Sequence, residues 1–96
     1  MAELAIHDNP DERRYEIRDG EGGTLGYLEY EPREAFTVLP STSVDQSLRG
    51  QGWGDRLARF ALDDLRSKGV EVEPTCPFVA SWIERHPEYE DMRHRP

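Results

Sequence analysis

The segment Arg49-Gly50-Gln51-Gly52-Trp53-Gly54 runs directly into the most strongly amphipathic stretch of the chain. Three glycines at alternate positions allow a tight turn and leave backbone N–H groups uncovered by side chains. A helix that starts at such a turn adds the partial positive charge of its N-terminus. The pattern predicts a cradle for an anionic, phosphate-like group. Twenty-two residues after Gly54 comes the only cysteine, Cys76, immediately before Pro77.

The remaining segments predict strands followed by a helix, a strand and a second helix. Leu4 to His7 alternates weakly as a short strand, and Asp8-Asn9-Pro10-Asp11 is dense in turn formers. Arg14 to Arg18 and Thr24 to Glu31 alternate apolar with polar residues on either side of a hairpin turn at Asp19 to Gly23. Pro32-Arg33-Glu34 reads as a turn, and Ala35 to Leu39 and Ser43 to Asp45 as strand material interrupted at Pro40, which implies an edge, a bulge or a break.

Gly54 to Lys68 is helical, with Leu57, Ala61 and Leu65 on one stripe, Ala58 and Leu62 beside it, and Gly69 at its stop. Val70 to Glu73 returns to strand alternation, so residues 41 to 73 form a strand–helix–strand crossover. Pro77 suits the first position of a second helix, whose apolar residues Phe78, Val79, Trp82 and Ile83 read as core and which Pro87 ends. The polar residues after Tyr89, about 90 to 96, are expected to fray. The fold class is α/β in the α+β sense, a mostly antiparallel twisted sheet with two main helices, in one domain spanning residues 1 to 96.

Charge narrows the function. The net charge of −8 argues against nucleic-acid binding, which needs clustered Lys and Arg. Residues 1–48 hold 11 acids and 4 bases, and residues 49–96 hold 9 acids and 8 bases, so positive charge gathers in the half with the glycine turn. An anionic ligand suits that half, and a cationic amine suits the acidic one. Apolar runs are too short for a bilayer, and Met1-Ala2-Glu3-Leu4 lacks the features of a signal peptide, so a cytoplasmic protein without membrane contact is expected. One cysteine forms no internal disulfide. His7, His86 and His94 have no metal-ligand spacing with one another or with Cys76, and no metal site is expected.

The glycine turn is not a Walker A loop, because Asp55 and Arg56 stand where Lys and Ser or Thr would follow the last glycine. It is also a poor dinucleotide fingerprint. Instead, Val44 to Gly54 resembles the acetyl-CoA segment of the GNAT superfamily of N-acetyltransferases, with Arg49, Gly52 and Gly54 matching its Arg/Gln-x-x-Gly-x-Gly/Ala pattern. Thr75 to Ile83 and His86-Pro87-Glu88-Tyr89 are similar to a small, single-domain GNAT-like family with a cysteine near the acetyl group.

The resemblance implies acetyl-CoA or CoA as ligand. Its pyrophosphate would lie on the N–H groups of Arg49, Gly50, Gln51, Gly52, Trp53 and Gly54, and its pantetheine arm along Ser43, Val44 and Asp45. It also implies transfer of acetyl to an amine, on a macromolecule or otherwise, with Cys76 as nucleophile through an acetyl-cysteine or as a lining residue. Cys76, ahead of Pro77, is expected to cap the second helix, where a thiolate is favoured.

Two features depart from the family. Ser41 and Ser43 stand where relatives often carry His and Glu, so the usual base is missing. Only Asp8 to Glu12 separates the first two strands, where larger relatives insert helices that wall the acceptor site. These departures keep open the alternative of a non-catalytic CoA-binding or protein-interaction module. His86 reads as a helix end and Tyr89 as a packing residue.

Overall fold

The computed structural model describes residues 3–95. Its strands are β1 (Ala5–Asn9), β2 (Arg14–Arg18), β3 (Thr24–Glu29), β4 (Glu31–Pro32), β5 (Thr37–Val38), β6 (Thr42–Val44) and β7 (Val72–Glu73). Its helices are α1 (Trp53–Ser67) and α2 (Pro77–Arg85), with short 3-10 turns at Gln46–Leu48 and Pro87–Met92. The expected mixed α/β class, antiparallel sheet and two main helices are all present. The segment read as a turn at Pro32 begins as β4, because Glu31 and Pro32 pair antiparallel with Val38 and Thr37.

Strands β1, β2, β3 and β6 form one antiparallel sheet in that order, and β4, β5 and β7 form a second, in which β5 and β7 run parallel. Register across the first sheet puts Ile6, Ile17, Gly26 and Val44 in one row, with Asp8, Tyr15, Leu28 and Thr42 roughly alongside on the same face. Helix α1 lays Leu57, Ala58, Ala61, Leu62 and Leu65 on that face, all buried. The helix stops as Gly69 takes φ +69°, with Val70 N–H donating to Leu65 C=O and Gly69 N–H to Arg66 C=O.

Helix α2 docks on the same side. Trp82 Nε1 donates to Asp55 Oδ1 at 2.8 Å, and Tyr89 Oη donates to Asp63 Oδ1 at 2.6 Å, which confirms a packing tyrosine. The opposite face of the first sheet carries His7, Asn9, Arg14, Glu16, Tyr27, Glu29, Ser41 and Ser43, and among the described residues no helix lies over it.

The tail does not fray as its polarity suggested. Met92 is buried, Arg93 bridges to Val72, and His94 N–H donates to Val72 C=O at 2.8 Å. The free edge of β7 supplies a pairing site that no local signal reveals. Pro96, the last residue of that tail, lies outside the described residues, as do Met1 and Ala2.

Two carboxylates tie the sheet to its charges. Burial alone would push Glu16 up, but hydrogen bonds from Arg14 and Asn9 and the nearby Arg18 charge outweigh it and hold this carboxyl below the usual range. Burial likewise opposes ionisation of Asp64, yet Lys68 and the Tyr15 hydroxyl hold it low. A depressed native pKa gives stability that is full above the unfolded value and is lost as pH falls through the folded one. Urea unfolding is therefore expected to show a stability plateau from pH 7 down to about pH 5 and a decline below about pH 4. Glu16→Gln is expected to lower the plateau and flatten the decline; an unchanged acid limb would contradict this assignment. Leu62→Ala, fully buried on α1, is expected to cost about 2–5 kcal/mol in the same assay.

Candidate functional site

The chain from Thr37 to Val44 would be one long strand but for Leu39-Pro40-Ser41. Pro40 has no N–H to donate, and the ladder changes partner around it. On one side β5 pairs with β7, and Leu39 C=O accepts from Cys76 N–H at 3.0 Å. On the other side β6 pairs only with β3.

In that antiparallel pair, Glu29 N–H donates to Ser41 C=O and Asp45 N–H to Leu25 C=O. Alternation then turns the backbone groups of Thr42 and Val44 away from β3, to the open edge. This unpaired edge borders a slot beside the start of α1.

A cavity of about 300 Å³ lies along this edge, lined by Thr42, Val44, Leu48, Arg49, Gly50, Gly52, Trp53, Gly54 and Phe78. Its floor is the glycine turn. Gly50 and Gly52 take φ +78° and +81°, left-handed values that favour glycine, and an added Cβ at either would meet nothing within 4 Å. Gly52 caps α1 without a side chain, and the helical ladder begins with Arg56 N–H to Gly52 C=O. The N–H groups of Trp53, Gly54 and Asp55 therefore have no intrahelical acceptor. Arg49 stands exposed beside them, and the Arg56 guanidinium stacks 4.7 Å from the Trp53 ring centroid.

Among the residues expected to hold a ligand, Val44, Arg49, Gly50, Gly52, Trp53 and Gly54 meet around one space. Ser43 and Asp45 sit elsewhere, lining a shallow groove with Thr24, Leu25, Gly26 and Tyr27 on the other side of β6. Asp45 accepts the Ser47 N–H, and the Gln51 side chain donates to Ser47 C=O. Phe78 was expected in the core with Trp82 and Ile83, but it is 37% exposed and forms the cavity wall facing Gly54. Thr42 was missed as well. The period-2 alternation of β6, carried one residue back from Val44, would have placed it on the cavity side.

Cys76 sits at the N-cap of α2, as its place before Pro77 predicts, but its side chain makes no capping hydrogen bond. Its Sγ lies 3.4 Å from the Thr42 hydroxyl, and the residue is buried behind Thr42 and is not itself among those that line the cavity. His86 is the helix end expected of it: Nδ1 donates to Trp82 C=O at 2.7 Å and the ring stacks on Trp82. The site thus combines a bare-backbone anion cradle, an unpaired strand edge and a thiol at the far side of that edge. Such a set suits an elongated ligand with an anionic end, an amide-bearing arm and an electrophile.

Comparison with known proteins agrees with this geometry. Residues 14–92 match the sequence model of the GCN5-related N-acetyl-transferase family. The fold is similar to that of a Staphylococcus aureus protein described as a "GCN5-like putative N-acetyltransferase", determined in solution by NMR. The TM-score is 0.77 at 24% identity, over 100% of this chain and 93% of the other. No curated protein matches the sequence. No helix among the described residues is long and apolar enough to cross a membrane.

Two glycine substitutions separate strain from occlusion. Gly52→Ala is expected to destabilise by about 1–2 kcal/mol through its left-handed backbone. Gly54→Ala places a Cβ 3.2 Å from Phe78 Cζ and pushes that ring into the cavity. It is expected to weaken CoA binding by calorimetry more than it lowers the urea midpoint. Equal effects of both substitutions on binding and on stability would contradict the geometry.

Proposed function

The chain belongs to the GCN5-related N-acetyltransferase family, whose reaction is acetyl transfer from acetyl-CoA, and on that footing we propose how its own residues carry the reaction. Acetyl-CoA enters as a substrate and leaves as CoA. The backbone N–H groups of Gly50, Gly52, Trp53, Gly54 and Asp55 and the Arg49 side-chain charge hold its pyrophosphate, whereas the N–H groups of Arg49 and Gln51, also expected from the sequence, are already given to Gln46 C=O and Leu48 C=O; the open edge of Thr42 and Val44 pairs with the amides of its pantetheine arm. The space above Gly50 and Gly52, where even a methyl group would meet nothing, supports the fit.

The observation that supports the chemistry is the 3.4 Å contact between Cys76 Sγ and the hydroxyl of Thr42, because Thr42 lines the cavity proposed for the arm. Cys76 attacks the acetyl carbonyl carbon. A new C–S bond forms, the bond from the acyl carbon to the CoA sulfur breaks, and the thiol proton passes to the departing sulfur with the Thr42 hydroxyl as relay. Unpaired backbone N–H groups on the β6 edge stabilise the oxyanion. An amine then attacks acetyl-Cys76, forming the C–N bond and releasing the thiolate, which recovers a proton. Because one thioester replaces another, the first step needs no strong base.

Intact-mass measurement after mixing the protein with acetyl-CoA is expected to show one acetyl increment, absent in Cys76→Ala. Thr42→Val is expected to slow its appearance by about tenfold or more. Undiminished acetyl transfer by Cys76→Ala would remove the covalent route and leave Cys76 lining the pocket.

A further inference from the structure

We infer that Glu29, held by Ser41, is the group that takes the proton from the acceptor amine, and that the acceptor arrives on the helix-free face of the first sheet. This assignment rests on the acetyl transfer proposed above. An aliphatic amine has a pKa near that of lysine, about 10.4, so at neutral pH nearly all of it is ammonium and must lose a proton to become a nucleophile. The helix side of the sheet is filled by Tyr15, Ile17, Leu28, α1 and α2. The opposite face is the one left open to an incoming molecule.

Few groups on that face can accept the proton. Glu16 is 2% exposed and committed to Arg14, Arg18 and Asn9. His7 lies on β1, at the far side of the sheet from β6. Glu73 is exposed on β7, and no hydrogen bond among the described residues fixes its position. Glu29 is on β3, which pairs directly with β6, and its Oε1 accepts the Ser41 hydroxyl at 2.6 Å, leaving Oε2 for an incoming N–H.

Ser41 is followed by Thr42, whose side chain points to the other side and touches Cys76 Sγ. The consecutive residues Ser41 and Thr42, at the start of β6, thus reach to opposite sides, Ser41 to the Glu29 carboxylate of β3 and Thr42 to the thiol. The charged group facing Glu29 from β2 is Arg14, directly opposite in register, and its guanidinium is engaged by Glu16. In the reaction Glu29 Oε2 takes a proton from the ammonium, the freed amine nitrogen bonds to the acetyl carbon, the bond from that carbon to Cys76 Sγ breaks, and the second N–H proton passes to the departing thiolate.

The test compares acetyl transfer to ethylamine, protonated at neutral pH, with transfer to 2,2,2-trifluoroethylamine, which is largely neutral there. Glu29→Gln is expected to lower kcat/KM at pH 7 for ethylamine by about 100-fold and for the fluorinated amine by less than about threefold. The ethylamine loss is expected to shrink as pH rises. Ser41→Ala is expected to give a smaller loss with the same amine dependence, as suits a positioning residue, and Glu73→Gln none. Equal losses for both amines, no loss for either, or transfer by the wild-type protein to neither would overturn the assignment of Glu29. Failure of the wild type to gain acetyl at Cys76 would instead overturn the covalent reading, leaving the amine comparison to judge Glu29.

Discussion

The change of partner at Leu39-Pro40-Ser41 is the constraint from which the rest of the molecule follows. A continuous strand from Thr37 to Val44 would pair with β7 throughout and close the sheet. Instead β5 keeps β7, β6 keeps β3, and the backbone groups of Thr42 and Val44 are left facing a slot. Exposed strand edges usually invite aggregation. Here the edge is only three residues long, lies beside the N-terminus of α1 and is screened by Phe78.

Around that slot the fold assembles groups from three places in the sequence. The expected crossover at residues 41 to 73 is instead a passage from the first sheet to the second, because β7 pairs parallel with β5 and not with β6; this β6–α1–β7 connection sets the bare end of α1 at one end of the open edge, and the short reach from β7 to α2 sets Cys76 at the other. Buried packing of α1 on the sheet and of Trp82 against Asp55 fixes their separation, so the bare start of α1 and the thiol are held apart by a rigid scaffold and not by a mobile loop. The first sheet has no helices on its other face because only a four-residue turn joins β1 to β2. The small size of the domain and the uncovered face of that sheet are the same fact.

Much of this was legible in the residues. The alternation of Arg14 to Arg18, the stripe of Leu57, Ala61 and Leu65, the stop at Gly69 and the start at Pro77 are local signals, and the structure follows them closely. What the residues hid was long-range. Met92 and His94 sit in a polar tail whose order comes from the free edge of β7, some twenty residues earlier in the chain. Phe78 has the spacing of a core residue, but Gly54 offers it no side chain to bury against, and it becomes a cavity wall. Ser43 and Thr42 are chemically alike, and only the register with β3 decides which of them faces the thiol. The same register gives Ser41 its carboxylate partner, Glu29, which a search confined to the strand before the glycine turn would never reach.

The central claim is that CoA lies with its diphosphate on the start of α1 and its arm on the open edge of β6. Titrating isotope-labelled protein with CoA and following backbone amide resonances tests it most directly. The account predicts large shifts at residues 50 to 55, at Thr42 and Val44, and at Cys76, with little change at Glu71 and His94 on the far edge. Shifts centred on that far edge, or an unperturbed α1 N-terminus at saturating CoA, would contradict it.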